Sequence, residues 1–398
     1  MEITTIESDE VPEFHQTLAR AFHGEWSREA VENASRVTDA DRSLVVRDGG
    51  RMVASTGSYA RRLTVPGGEV SLAAVTMVGV QASHRRRGLL RSLMRHQLDA
   101  LHEAGEPVAA LWAAETAIYT RFGYGLATMA AKLEVHSRQA RLRSAPDRRA
   151  ELLTPAEAVP AMRGIHDAAR RGLPGMLDRP GAWWEWRITD RQEDREGAGV
   201  LRAAVVEDAA YALYAVKDGW DRGRPAFEVF VRELVATGAE ARAAIWGYLL
   251  GLDLTHRLEY ELAAADEPLP HMLTEAQAVQ TQLSDGLWVR LVDVPAALTR
   301  RAYAAPFEVV LDVADEFCPW NAGRWALAWD GTGATCERTS APADLELGCE
   351  ELGAAYLGGT TLGRLARAGR VRELRAGALD AASRAFRGDR APWCPEIF

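Results

Sequence analysis

The sequence predicts an α/β protein with more than one domain, and three observations support this fold class. Strand-like and helix-like patterns alternate over the first 135 or so residues, and a similar alternation restarts near residue 150. A chain of 398 residues is too long for one ordinary hydrophobic core. Hydrophobic residues make up 47% of the chain and 12 residues are tryptophan, so there is enough apolar material for several cores.

The first domain is predicted to contain a strand, a basic glycine turn, a helix and a second strand. The run from Ala73 to Val80 is apolar almost throughout, which predicts a central strand buried on both faces. Leucines and a methionine recur at helical spacing over Leu89–Leu101, so we expect a helix with Gln97 facing away from the core. A Gly-Glu-Pro stretch ends this helix, and Val108–Trp112 predicts the next strand.

The rest of the chain is interpreted as two further domains. Helix patterns in "LLTPAEAVPAMRGIHDAARR" and "GAEARAAIWGYLLGLD" alternate with strand patterns such as "RLEYELAA", but no basic glycine turn recurs there. A third segment shows strand alternation in "EVVLDVADEF" and ends in two helix-like stretches. We therefore expect domains at residues 1–145, 146–287 and 288–398.

Charge and composition exclude several classes of protein. A formal net charge of −9 argues against nucleic-acid binding. The first 20 residues are acidic and no uninterrupted run of 18 apolar residues occurs, so neither a secretory signal nor a membrane span is predicted, and a cytoplasmic location is expected. The four cysteines lie in the last quarter without close pairing, which favours free thiols and no bound metal.

The turn "SHRRRGLL" places three arginines and a glycine directly before the predicted helix. Backbone N–H groups in the first turn of a helix lack internal partners, and the helix dipole adds positive charge, so this end attracts phosphate. Gly88 would let an anion approach closely, and Arg85 and Arg86 would add charge-assisted hydrogen bonds. On charge alone, a solvated basic cap is the better interpretation. The buried strand before the turn favours a phosphate site, and no P-loop or dinucleotide-binding motif is present.

The pattern Arg85-x-x-Gly88 resembles the pyrophosphate loop of GNAT acyltransferases, which bind acetyl-coenzyme A against two splayed strands, although Leu90 stands where that pattern has a small residue. Longer stretches resemble the enhanced intracellular survival (Eis) family in order along nearly the whole chain: "AAETAIYTRFGYGLAT", "CPWNAGRW", "LGGTTLGRLARAGRV" and "PWCPEIF". The resemblance implies two tandem GNAT folds followed by a domain similar to sterol carrier protein, with only the first GNAT fold competent for acetyl-coenzyme A. It also implies a homohexamer, built as a dimer of trimers, that acetylates amines, including several on one aminoglycoside. Sterol binding does not follow, because fold does not fix function.

Acetyl transfer to an amine requires a neutral amine, stabilisation of an oxyanion and a proton for the departing thiolate. The resemblance implies that the strand, the loop and the segment after the second strand bind acetyl-coenzyme A through Val78, Val80, Arg85, Arg86, Gly88, Leu89, Ala114 and Glu115. Tyr119 occupies the family's general-acid position, and a phenol pKa near 10 suits donation to a thiolate. Without the resemblance, a packed ring would be the better interpretation of this tyrosine, and it remains our interpretation of Tyr124.

The family uses its C-terminal carboxylate as the general base, which in this sequence belongs to Phe398. Because the last two residues are large and apolar, we expect Ile397 and Phe398 to be buried, unlike most chain ends. Glu396 is a candidate to attract a cationic amine. Three histidines are weaker candidates for the base: His84, His96 and His102.

Several aromatic residues and one acid are candidate walls of the amine pocket, with core packing the alternative for most of them: Glu25, Trp26, Trp183, Trp184 and Trp186. The sequence therefore predicts acetyl-coenzyme A-dependent N-acetylation of a polyamine-like small molecule. Two alternatives stay open, which are acetylation of peptide lysines and binding without turnover.

Overall fold

Strands and helices alternate along the chain, as the sequence predicts. The structure is a computed structural model that describes residues 2–398. Its strands, in chain order, are β1 (Ile3–Thr5), β2 (Ser43–Asp48), β3 (Arg51–Val65), β4 (Gly68–Val80), β5 (Val108–Trp112), β6 (Gly125–Leu126), β7 (Met129–His136), β8 (Glu151–Leu153), β9 (Arg202–Val206), β10 (Ala210–Lys217), β11 (Trp220–Asp221), β12 (Arg224–Pro225), β13 (Phe227–Ala236), β14 (Thr255–Ala264), β15 (Val279–Asp285), β16 (Leu287–Leu291), β17 (Phe307–Ala314), β18 (Gly323–Trp329), β19 (Ala334–Arg338), β20 (Leu345–Gly348) and β21 (Val371–Glu373). Its α-helices are α1 (Val11–Ala21), α2 (Arg28–Ser35), α3 (Leu89–Glu103), α4 (Pro155–Arg170), α5 (Gly181–Ile188), α6 (Ala239–Leu250), α7 (Leu269–Met272), α8 (Val294–Leu298), α9 (Cys349–Ala355), α10 (Leu362–Arg367) and α11 (Ala378–Phe386).

The described residues divide into two compact units. Unit 1 contains residues 2–128, 286–389 and 397–398, and unit 2 contains residues 129–285 and 390–396. Each unit has its own hydrophobic core of buried side chains.

Unit 1 contains a seven-stranded sheet in the order β1-β2-β3-β4-β5-β16-β6. Strand β4 is central and is buried at Ala73 and Val75, as predicted. It pairs in parallel with β5 only over Leu72 to Ala74, opposite Val108 to Ala110. Beyond this pairing the two strands diverge, because β4 continues to Val80 without β5 as its partner. The opening between the two strands begins after Ala74 on β4 and after Ala110 on β5. We call this opening wedge 1.

Helix α3 connects β4 to β5 and packs its apolar face on the sheet, with Leu93 and Leu98 fully buried. The predicted outward position of Gln97 is wrong, because this side chain is also buried. Its amide donates a hydrogen bond to the carbonyl of Gly57 at 3.3 Å, and its Oε1 lies 3.5 Å from the hydroxyl of Thr56. These partners on β3 satisfy the amide inside the core.

Unit 2 repeats the arrangement of a parallel strand pair joined by a helix. Its seven-stranded sheet has the order β15-β7-β14-β13-β10-β9-β8, and α6 connects β13 to β14. The parallel pairing runs from Phe227 opposite Thr255 to Val231 opposite Tyr260. We call the opening between β13 after Val231 and β14 after Tyr260 wedge 2.

Each of these two sheets contains a strand that the sequence assigns to another domain. Strand β16 opens the predicted third domain, yet it pairs with β5 and β6 in unit 1. Strand β7 precedes the predicted boundary at residue 145, yet it lies between β15 and β14 in unit 2. The expected boundaries at residues 145 and 287 therefore do not follow the division of the sheets.

Unit 1 also contains a five-stranded sheet in the order β19-β18-β17-β20-β21. Strands β17 and β18 confirm the strand alternation predicted near residue 310, and α10 and α11 confirm the two predicted helices near the end. A buried ion pair of 2.6 Å joins Asp315, which follows β17, to Arg290 of β16.

Within residues 2–398, no helix is long and apolar enough to cross a membrane. The four cysteines are buried and form no disulfide bond. The same residues contain no group of three or more histidine, cysteine, aspartate or glutamate side chains that could hold a metal ion.

Candidate active site

A cavity of about 650 Å³ opens in wedge 1. Its walls come from the end of β4, the basic turn, the start of α3, the segment after β5 and the residues at the end of α1. All eight residues that the sequence assigns to acetyl-coenzyme A line it, namely Val78, Val80, Arg85, Arg86, Gly88, Leu89, Ala114 and Glu115. The fold thus brings this predicted set together around one cavity.

The helix at the edge of this cavity begins in a geometry that suits an anion. Gly88 is the N-cap of α3 and has φ +80°, in the left-handed region that glycine tolerates best. A Cβ atom built on Gly88 would meet nothing within 4 Å, so the backbone angle rather than space requires glycine. No side chain caps the first turn of α3, so its backbone N–H groups are available to an anion, and no acidic residue in that turn would repel it.

Four arginines but only one carboxylate line the cavity. Arg85 and Arg86 are exposed, and neither forms an ion pair with any residue of the described chain. Arg91 and Arg121 were not predicted from the sequence. Arg91 lies three residues after Gly88 and could have been found from helical spacing, whereas Arg121 is brought in by the turn after β5. The carboxylate belongs to Glu115.

Tyr119 lies at the same cavity, with 8% of its surface exposed. Burial and the nearby carboxylate of Glu115 raise the pKa of Tyr119 to about 12, so the hydroxyl is protonated at neutral pH. No group in residues 2–398 accepts a hydrogen bond from this hydroxyl. The hydroxyl is therefore free to bond to a molecule in the cavity.

Tyr124 differs from Tyr119, although both belong to the same turn. Its ring meets that of Tyr119 edge to face, with the centroids 6.0 Å apart. Tyr124 is fully buried, and burial raises the pKa of its hydroxyl. It does not line the cavity, which agrees with the predicted packing role.

The three candidate histidines have other contacts. His84 is at the cavity, but its Nε2 lies 3.0 Å from the carboxylate of Asp48. His96 is exposed on α3 and does not line the cavity. His102 stacks on Trp320 with the ring centroids 4.4 Å apart. None of these contacts strengthens the assignment of a histidine as the base.

The predicted walls of the amine pocket are largely absent from the cavity. Glu25 is exposed, and Trp26 stacks on His15 with the ring centroids 5.2 Å apart. The neighbouring residues Phe22 and His23 line the cavity instead, and 58% of Phe22 is exposed. No periodic pattern marks this short connection between helices, so sequence reasoning could not find these two residues.

The three candidate tryptophans at residues 183, 184 and 186 belong to α5 of unit 2. Trp184 is fully buried in the core of that unit. Trp183 and Trp186 pack edge to face with their ring centroids 5.6 Å apart. Core packing, the alternative interpretation, therefore describes Trp184.

Two predictions about the last residues need correction. Ile397 is not buried, because 53% of its surface is exposed, while Phe398 is half-buried. Glu396 is only 1% exposed and forms an ion pair with Arg179 within unit 2, so its charge is neutralised inside the protein. It is not available to attract an amine substrate. Residues 397–398 belong to unit 1, as the cavity does.

The fold and the cavity define the class of protein. A GNAT acetyltransferase model matches residues 2–127, and a second GNAT model matches residues 175–291. A sterol carrier protein domain model matches residues 294–395. The protein is thus an N-acetyltransferase of the GNAT class, a class that uses acetyl-coenzyme A.

Relatives of known name narrow this class to one family. The chain is 38% identical to the N-acetyltransferase Eis of Mycobacterium tuberculosis, over 83% of each chain. It therefore belongs to the Eis family of GNAT N-acetyltransferases. The crystal structure of Eis1 from Mycobacterium abscessus matches all of both chains with a TM-score of 0.90 and 33% identity. An uncharacterised N-acetyltransferase of Streptomyces coelicolor is 43% identical over 100% of both chains.

Proposed function

We propose that this enzyme transfers the acetyl group of acetyl-coenzyme A to primary amines of polyamine-like small molecules, with aminoglycosides as the best-known class. The amine attacks the thioester directly. The observation that carries this proposal is the cavity of wedge 1, where unpaired arginines at a helix start and the free hydroxyl of Tyr119 face one space.

The cavity suits acetyl-coenzyme A in size and charge. Its volume of about 650 Å³ lies within the range of roughly 300–1,000 Å³ that is usual for ligand pockets. Arg85 and Arg86, with the backbone amides after Gly88, would hold the phosphates, and the backbone of Val78 and Val80 would hold the pantetheine arm. Bound there, acetyl-coenzyme A supplies an activated acyl group.

Tyr119 is proposed as the proton donor to the departing sulfur. Its pKa, raised to about 12, keeps it protonated but makes it a weaker acid than an exposed phenol. Donation to sulfur would therefore occur as the carbon–sulfur bond breaks, when negative charge builds up on that atom. Within residues 2–398, the same hydroxyl has no competing acceptor.

The carboxylate of Phe398 is proposed as the base. A terminal carboxyl group is ionised at neutral pH and can take a proton from the substrate ammonium, directly or through water. The nitrogen lone pair then forms a bond to the carbonyl carbon, and the carbon–sulfur bond breaks. The proton on sulfur comes from Tyr119, and the second proton that the nitrogen loses as the amide forms returns to Tyr119 through water, so the step is balanced.

A tag at the C-terminus tests this base. Any residue added after Phe398 turns its carboxylate into a neutral amide, so we expect a C-terminally tagged enzyme to be inactive and an N-terminally tagged one to be active. Release of coenzyme A thiol in the presence of a kanamycin-like amine measures the rate, and the unfolding midpoint controls for folding. A folded C-terminally tagged enzyme that turns over at the native rate would contradict the assignment.

The same assay tests the substrate class. We expect thiol release with free polyamines, because the exposed residues Phe22 and His23 line the cavity, so a flexible amine can approach it from solvent on that side. Turnover with a lysine peptide and none with any free polyamine would contradict this class.

A hexamer, which rests on the family resemblance alone, is checked by light scattering, where a monomer at micromolar concentration would contradict it.

A further inference from the structure

The segment at residues 390–396 is a buried part of unit 2, although it follows the last helix of unit 1. Trp393, Cys394 and Glu396 are all buried. The backbone N–H of Trp393 donates to the carbonyl of Pro174 at 2.8 Å, and that of Ala391 donates to Asp266 at 2.9 Å. Residues 390–396 are thus held within unit 2 by hydrogen bonds that their backbone N–H groups donate.

The approach of this segment to the loop before α5 leaves no room for a side chain. Gly175 has φ +99°, and a Cβ atom built on it would lie 2.8 Å from the carbonyl oxygen of Trp393. A larger residue at Gly175 would push the two backbones apart. This contact holds the chain end at a defined position.

The segment is bonded to wedge 2, beyond the last parallel pair of β13 and β14. The indole Nε1 of Trp393 donates to the carbonyl of Leu262 on β14 at 2.7 Å. On the other side, Arg187 donates to the carbonyl of Arg232 on β13 at 2.9 Å and to the carbonyl of Pro395 at 3.4 Å. The chain's own end therefore bonds to wedge 2, the counterpart of the wedge that holds the cavity in unit 1.

Buried charges fix the last residue of this segment. Arg179 binds Glu233 through two hydrogen bonds of 3.0 and 2.9 Å, and its Nε donates to Glu396 at 3.2 Å. Arg187 lies 3.0 Å from Glu233, so two guanidinium groups face two carboxylates. Burial alone would raise the pKa of Glu233, but Arg179 and Arg187 hold that pKa below its usual range. A buried ion pair is weak evidence for stability, but the hydrogen bond from Arg179 holds the carboxylate of Glu396 in one place.

We propose that unit 2 acts as a clamp on the chain end, with Arg179 and Glu396 as positioning residues for the carboxylate of Phe398. This inference rests on the proposed role of that carboxylate as the base. Two residues span at most about 7 Å when extended, so a fixed Glu396 restricts where Phe398 can lie. The second GNAT fold thus contributes to catalysis through wedge 2 without binding acetyl-coenzyme A.

The test uses Glu396→Ala in the full chain, because Arg179 keeps Glu233 as its partner and the fold is expected to survive. We expect kcat to fall roughly 10- to 100-fold, as for a misplaced catalytic group. The KM for acetyl-coenzyme A should stay unchanged, since its proposed site lies in unit 1. Glu396→Gln should keep most of the rate, because its amide oxygen still accepts from Arg179.

A matched control is Arg242→Met, which breaks the other well-buried ion pair of unit 2, with Glu267 at 2.7 Å. We expect it to lower the unfolding midpoint without lowering kcat. If Arg242→Met lowers kcat as much as Glu396→Ala at an equal loss of stability, general destabilisation explains the effect and the clamp is overturned.

Deletion of Phe398 separates this inference from the proposed function. We expect the deletion to lower kcat strongly, and Glu396→Ala to cause no further loss in the shortened chain. If the chain without Phe398 loses activity but Glu396→Ala in the full chain is as active as the native enzyme, the clamp is wrong and the base assignment stands. If the shortened chain is fully active, the base assignment fails, and the clamp fails with it.

Discussion

The two GNAT folds of this chain share one topology but differ in their wedges. In wedge 1, a cavity of about 650 Å³ is lined by four arginines and a single carboxylate. Beside wedge 2, the cavity is about 330 Å³, and its lining carries charges that nearly cancel: five acids, at Asp190, Asp194, Glu196, Glu259 and Glu261, and four basic residues, at Arg187, Arg195, Lys217 and Arg232. A phosphate-bearing molecule would be attracted by the net positive charge of the first cavity, which the second cavity lacks.

The helices that follow the two wedges also differ in the charge and the backbone conformation at their first residues. Helix α3 begins at Gly88 in a left-handed conformation, after three arginines and with no acid in its first turn. Helix α6 begins at Gly238 in an extended conformation, with φ −168°, and has Glu240 in its first turn. The comparison teaches that two GNAT folds can share their strands and differ at one helix start, and from this difference we expect only wedge 1 to bind acetyl-coenzyme A.

The largest expected effect concerns the two tyrosines of the turn after β5. Tyr119→Phe should lower kcat by roughly 100-fold or more, the scale of general acid catalysis, with the affinity for acetyl-coenzyme A nearly intact. Tyr124→Phe is the matched control, because its hydroxyl bonds to no described group and does not reach the cavity. Steady-state kinetics of both variants measures this difference. Equal activity of the two variants would remove Tyr119 from the mechanism.

The next effect concerns the arginines of the basic turn. Arg85→Ala combined with Arg86→Ala should weaken acetyl-coenzyme A binding by about 10-fold or more, since charge-assisted hydrogen bonds are worth about 1.5–3 kcal/mol each. Arg87→Ala is the control, because Arg87 does not line the cavity. Calorimetry should also give one bound acetyl-coenzyme A per native chain. A second site per chain would break the contrast between the wedges.

A smaller effect is expected when the pH is lowered, and it should reduce the stability of both units. Burial lowers the pKa of His15 in unit 1 to about 4, and burial together with Arg179 lowers that of His166 in unit 2 to about 3. Both pKa values lie below the ordinary value of 6.5, so the folded protein keeps these histidines neutral at a pH where the unfolded chain takes up protons. Their contribution to the free energy of unfolding is therefore fully present above pH 6.5 and is lost as pH falls. Each histidine should cost about 1.4 kcal/mol of unfolding free energy per pH unit between pH 6 and pH 5.

Urea unfolding at pH 7, 6 and 5 measures this dependence. In His166→Phe, a phenyl ring replaces the imidazole and the titrating nitrogens are gone, so the pH dependence should be shallower. An unchanged slope in that variant would show that other groups cause the dependence.

The smallest effect compares the glycines at the two helix starts. Gly88→Ala should destabilise unit 1 by about 1 kcal/mol because its backbone is left-handed, whereas Gly238→Ala should be nearly neutral. Neither added Cβ atom would meet another atom within 4 Å, so only the backbone angle differs. Thermal unfolding of both variants measures the difference, and equal losses of stability would contradict this account.

Local features of wedge 1 could be predicted from the sequence because they lie within one continuous segment. The strand β4, the turn at Gly88, the helix α3 and the strand β5 follow each other within residues 68–112, and their apolar spacing identifies each one. The cofactor residues predicted from that segment all line one cavity.

Distant partners could not be predicted in this way. Glu396 has the pattern of an exposed acid near a chain end, and its partner Arg179 lies 217 residues earlier. Gln97 has the pattern of a surface residue, and its partners lie on β3. Strands β7 and β16 carry no local sign of the sheet that each joins, because strand pairing depends on the rest of the fold.

Strand β16 follows all the strands of unit 2 in the chain, yet it belongs to the sheet of unit 1. This order has a consequence for how the protein folds during synthesis on the ribosome. The sheet of unit 1 is complete only when β16 is available to lie between β5 and β6. The growing chain must therefore be synthesised through Leu291 before the first seven-stranded sheet can close, and until then β5 presents an unpaired edge. By that point every strand of the second sheet, from β7 to β15, has also been synthesised. The first sheet is therefore expected to close no earlier than the second, and residues 2–128 alone would lack the strand that lies between β5 and β6.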